Sequence, residues 1–168
     1  NAGARIAGAG TTLSIEGNTP ANTAADPGEA VTFSLALKNI GGAATSSNLT
    51  ATLLPLGGVR DVSEAQNYGV LAAGGASVAR TFSFKLDGGC GTAIPLVLKL
   101  QDGATNLGYA TLVIPLGTTA AASFNGGAIT INDNWVASPS PSNVVVSGLT
   151  GRVQNITAQL NGLSHAFI

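Results

Sequence analysis

The sequence predicts an all-β protein: an antiparallel β-sandwich of about seven strands, with a C-terminal extension of two or three more. Three observations predict it. Apolar residues alternate with polar or small ones in run after run, which is the period of a half-buried strand. Clusters of Gly, Pro, Asn and Asp separate the runs every 8–14 residues or so (about one strand and its turn), as hairpins require. No stretch carries a 3.6-residue amphipathic period, and β-branched or aromatic residues fill the runs.

The sandwich is placed at residues 10–117. "TTLSIEG" (11–17) opens it, with Leu13 and Ile15 on one face. "AVTFSLALKNIGG" (30–42) turns Val31, Phe33, Leu35 and Leu37 inward and Thr32, Ser34, Ala36 and Lys38 outward. "SNLTATLLPL" (47–56) continues with Leu49, Ala51 and Leu53. A long loop is expected over 57–75, holding Arg60, Asp61 and Glu64. "SVARTFSFKLDGG" (77–89) aligns Val78, Arg80, Phe82, Phe84 and Leu86. "AIPLVLKLQDG" (93–103) and "NLGYATLVIPLG" (106–117) complete the set through a turn at Asp102-Gly103. Pro95 and Pro115 are expected at edges or strand ends, because proline donates nothing to a ladder. Residues 118–127 read as a small-residue linker, and 128–168 as the extension.

Composition narrows the function. With 45% hydrophobic residues in 168, the chain can bury a core and is no disordered tract. Charged residues are only 9% and the net charge is −1, with no run of either sign. Binding to nucleic acid or to an anionic membrane surface needs clustered Lys and Arg, so neither is expected. No apolar run approaches the 18 or so residues of a spanning helix. The opening "NAGARIAGAG" is read as a mature N-terminus left by processing, which puts the chain outside the cell. So little charge offers weak repulsion between copies, which suits a module that packs against its own kind.

Catalytic and metal-binding chemistry finds no foothold. His165 is the only histidine and sits almost at the end of the chain, where a general base would lack rigid support. One Cys and one His cannot make a zinc site. Cys90 has no intrachain disulfide partner; it is read as a small thiol near a turn, with an intermolecular disulfide as the alternative. Asp87, Asp102 and Asp133 lie in turn-like contexts without the spacing of a calcium loop, so they are read as turn formers. No cofactor is expected. Trp135 is expected to pack where extension and sandwich meet, rather than to stack on a sugar. "NLT" (48–50) and "NIT" (155–157) match the N-glycosylation sequon, a weak signal in a strand protein rich in Asn and Thr.

Two stretches carry family resemblances. "GEAVTFSLALKNIGGAATSSNLTATL", "YGVLAAGGASVARTFSFKL" and "CGTAIPLVLKLQDGATNLG" together resemble a bacterial extracellular immunoglobulin-like (Ig-like) domain of the cell-adhesion-related, CARDB-like type. The resemblance covers about half the chain and implies an extracellular Ig-like sandwich without catalysis. "AITINDNWVASPSPSNVVVSGLTGRVQNITAQLNGLSHAF" (128–167) resembles the opening of a P domain, the β-rich module that follows the catalytic domain in proprotein convertases. The acidic turn and further strands of that family would lie beyond His165. Its calcium and acidic-site expectations therefore find no residues here to attach to.

The extension raises a question of pairing. Its apolar positions Val144, Val145, Val146, Val153, Ile156, Ala158 and Leu160 need cover, and its strands need neighbours for their N–H and C=O groups. It can dock on its own sandwich, belong to a larger domain, or pair with another subunit by strand addition. The expected function is that of a secreted, non-catalytic structural subunit assembling head-to-tail with copies of itself. Those seven positions are the candidate interface, and the N-terminal "ARIAGAGTTLSI" is a second candidate donor strand. The alternative is an accessory module of a larger secreted protease or polysaccharide-acting protein.

Overall fold

A computed structural model describes residues 3–18, 21–117, 121–149, 153 and 155–164. It divides into two units, Asn1–Thr119 and Ala120–Ile168. In the first unit the alternation becomes two facing layers. Eight strands form: β1 (Ile6–Ile15), β2 (Ala30–Asn39), β3 (Leu49–Leu53), β4 (Val59–Arg60), β5 (Gln66–Gly69), β6 (Val78–Leu86), β7 (Thr92–Asp102) and β8 (Thr105–Leu116). One antiparallel sheet runs β1-β2-β6-β4 and the other β5-β3-β7-β8. Apart from the two short strands β4 and β5, this is the strand order of an immunoglobulin-type sandwich.

The core lies between the sheets. Val31, Phe33, Leu35 and Leu37 of β2 and Phe82, Phe84 and Leu86 of β6 face Leu49, Ala51 and Leu53 of β3, Leu96, Leu98 and Leu100 of β7, and Leu112 and Ile114 of β8. Each fully buried Leu or Phe contributes about 1.5–3 kcal/mol through removal from water. Phe33 and Phe84 stack with centroids 5.8 Å apart. Tyr68 of β5 is buried as well, and its hydroxyl donates to the Leu35 carbonyl at 2.8 Å. Burial pushes its phenol pKa well above the usual range, so it stays a neutral donor.

Several sequence expectations change in detail. β1 begins at Ile6 rather than near Thr11, because ladder pairing of Ile6 with Asn39 recruits a Gly- and Ala-rich stretch of low strand propensity. The N-terminal stretch expected as a donor strand is thus already paired with β2 of its own chain. Ile15 does not join Leu13 on the inner side; a register shift between them turns Ile15 outward, 61% exposed. The expected loop 57–75 contains β4 and β5, whose two and four residues are too short to show a period. Pro95 lies in β7, but beyond Leu98, where the ladder with β3 ends, so its missing N–H removes no bond from that ladder. Gly8 is required where β1 crosses β8: a Cβ there would come 2.8 Å from Leu112 Cγ.

The second unit departs further from expectation. Among its described residues no strand forms, and the sole bridge joins Thr130 and Ser138. The extension's expected two or three strands are therefore not formed among the described residues. The physical reason is the one that makes isolated hairpins marginal: alternation supplies an apolar face, but a ladder needs a neighbouring backbone. The described part of this unit holds no buried residue.

Candidate functional site

The seven candidate interface residues all lie among the described residues, and all are exposed. The exposure of the larger six runs from 50% at Val144 to 82% at Ile156. Nothing among the described residues covers this row, which is unusual for apolar side chains placed so close in sequence. The turn Gly148–Gly151 lies partly outside the described residues, and His165 wholly outside them.

Upstream of the row is the ordered feature of the second unit. Thr130 and Ser138 exchange backbone hydrogen bonds, N–H of Thr130 to the Ser138 carbonyl at 2.8 Å and N–H of Ser138 to the Thr130 carbonyl at 2.9 Å. Inside this loop the Asn132 side-chain amide donates to the Val136 carbonyl at 2.7 Å. Asn134 has φ 56°, a left-handed conformation that Asn tolerates better than most residues. The tip so formed carries Trp135, which is 79% exposed. The sequence marked Trp135 as the lone indole, and Asn132-Asp133-Asn134 as a turn, but not the combination of a fixed loop with a free aromatic tip.

The sandwich presents a second surface. Along β7 and β8 the register pairs Pro95 with Val113, Val97 with Thr111, and Lys99 with Tyr109. The residues between them on each strand are in the core, so these side chains share the outer face of the β5-β3-β7-β8 sheet. Tyr109 and Val113 are exposed, and Lys99 is the one cation of that patch.

Polar groups elsewhere hold the fold together. Asn39 accepts from the backbone N–H groups of Arg5 (3.1 Å) and Gly41 (2.9 Å) and donates to the carbonyls of Ala43 (2.8 Å) and Leu71 (3.0 Å). Asp102 is buried and accepts from the Ser46 N–H (2.6 Å), the Ser46 hydroxyl (2.9 Å) and the Ser47 N–H (2.6 Å). The Ser46 N–H foremost, against the opposing effect of desolvation, holds the Asp102 carboxyl below the usual range. Glu29 accepts from the N–H groups of Asn18 and Asp26, both at 2.8 Å. Exposed charges gather at β4 and β6, where Arg60 pairs with Asp61 (3.2 Å) and Asp87 (2.6 Å), and Lys85 with Asp61 (3.0 Å).

Among the described residues no buried side-chain nitrogen or oxygen lacks a hydrogen-bond partner, and no group of His, Cys, Asp and Glu is set to hold a metal ion. Cys90 is a half-buried free thiol whose sulfur lies beside Gly117. No family model and no curated protein matches the chain.

Proposed function

We propose that this protein is a secreted, non-catalytic structural subunit whose C-terminal segment becomes β-structure by pairing with a neighbouring copy, building a filament or surface layer. The observation that carries the reading is the exposed apolar row Val144–Leu160, strand-patterned yet unpaired among the described residues. Such a row gains both burial and backbone hydrogen bonds when another chain supplies a strand neighbour. Because it differs in kind from the sandwich it would contact, the association is heterologous and propagates unless it closes into a ring.

The test is deletion of residues 128–168. The core residues all belong to the first unit, so the truncated sandwich is expected to fold and to stay monomeric in light scattering and electron microscopy, while the full chain assembles. A truncated chain that still assembles would overturn the reading.

The resemblance of 128–167 to the start of a P domain favours a second reading. Here the unpaired row is completed by further strands of a larger secreted protein, and the chain is part of its accessory region. Under this reading the 168 residues stay monomeric at every concentration, and adding the downstream strands in the same polypeptide orders the row.

A further inference from the structure

The row explains which segment seeks a partner, but not what selects the docking surface. Two features share an unusual composition. The turn Thr130–Ser138 presents Trp135 and Val136, both exposed, beside a single anion, Asp133. The outer face of β7 and β8 presents Pro95, Val97, Tyr109 and Val113 around a single cation, Lys99. Neither Asp133 nor Lys99 has an ion-pair partner among the described residues. Each feature is an apolar patch with one charge, and the charges are opposite.

We propose that the Trp135 turn of one copy docks on the outer face of β7–β8 of a second copy, with Asp133 paired to Lys99. The inference rests on the self-assembly reading and names the contact that sets its direction. Three physical arguments carry it. An exposed Trp on a surface is the side chain most enriched among residues that dominate interface energies. The turn is already held by the Thr130–Ser138 bonds and the Asn132 bond to Val136, so little ordering entropy opposes docking. The opposite charges fix register and discourage wrong faces more than they add affinity. The other sheet lacks this match: Lys85 on its outer face is already paired with Asp61, and Lys38 is flanked on that face by Ala7, Ala36 and Ala79, small side chains that offer an indole little apolar area.

Trp135 is the only tryptophan, so indole fluorescence reports the surroundings of this turn. The full chain is followed by sedimentation and by Trp emission over a wide range of concentration. The expected result is a blue shift that tracks association. Trp135→Ala weakens association by about thirtyfold or more. Lys99→Glu weakens it by about five- to tenfold, and the double variant Lys99→Glu/Asp133→Lys recovers most of that loss. Lys38→Glu, on the outer face of the other sheet, changes nothing.

Association with unshifted emission, or with Trp135→Ala associating like wild type, would overturn the inference while leaving self-assembly standing. Emission already blue-shifted at the lowest concentration and unchanged on dilution would place the turn on its own chain, which also overturns it. A monomer with exposed-type emission throughout would overturn both the contact and the assembly reading.

Discussion

Leu98 and Ile156 both lie in runs with apolar residues at alternate positions, Leu96, Leu98 and Leu100 against Ile156, Ala158 and Leu160, yet Leu98 has no exposed surface and Ile156 is 82% exposed. What separates them is neighbours. Leu98 lies in β7, with β3 on one side and β8 on the other, so its backbone groups are paired and its side chain meets a facing sheet. Ile156 has the pattern without the ladder. Period-2 alternation therefore specifies which face a strand would bury, and pairing decides whether there is a strand at all.

The largest effect expected from this contrast is on stability. Leu98→Ala should destabilise the sandwich by about 2–5 kcal/mol, because the site is enclosed on all sides and leaves a cavity. Ile156→Ala should change it by no more than about 0.5 kcal/mol, as for an exposed position away from caps and networks. Equilibrium unfolding in denaturant measures both. A loss of 2 kcal/mol or so for Ile156→Ala in the monomer would mean the row is packed within its own chain, and the contrast would collapse.

The same contrast shows what could be read from the sequence. The strands β2, β3, β6, β7 and β8 were legible because each carries three or more alternating core residues. β4 and β5 were not, since two or four residues cannot display a period and their place follows from edge pairing. Ile15 was misplaced because a β-bulge reverses the inward face without any local signal. Asp102 was legible as a turn residue, but its three bonds to Ser46 and Ser47 join segments some 55 positions apart (56 and 55), which no local pattern encodes. In the extension the candidate interface residues were legible as apolar positions. Their exposure was not, and neither was the tip formed around Trp135.

A smaller effect is expected on pH dependence, and it belongs to the sandwich alone. Folding lowers the Asp102 pKa through the Ser46 and Ser47 bonds, so its contribution is present above the unfolded value of about 3.9. It is lost as pH falls through the lower folded value, when the carboxylate takes up a proton and loses acceptor strength. Thermal melts between pH 6 and pH 2 or so should therefore fall more steeply for wild type than for Asp102→Asn, the two curves converging at the acid end. Trp135 emission should not follow this transition, since its turn shares no bond with Asp102. Parallel curves for the two proteins would remove Asp102 from the acid limb.

The smallest effect is expected at the charges beside β4. Asp61 has a lowered pKa chiefly through its bond to Lys85, and Arg60 a raised one chiefly through Asp87, so the four groups are mutually paired. All are exposed, and exposed pairs are screened by salt and hold long side chains at an entropic cost. Asp61→Asn should accordingly leave the melting temperature of the sandwich where it was, with no added dependence on ionic strength. The useful role of these charges is at an edge: β4 is only two residues long, and charges there discourage a foreign strand from continuing the sheet. A melting temperature that drops clearly on Asp61→Asn would show that the network braces β4 against β6. An unchanged melting temperature leaves its charges as edge protection, in contrast to the segment Val144–Leu160, whose sequence holds Arg152 as its sole charge and where an incoming strand meets no such paired network.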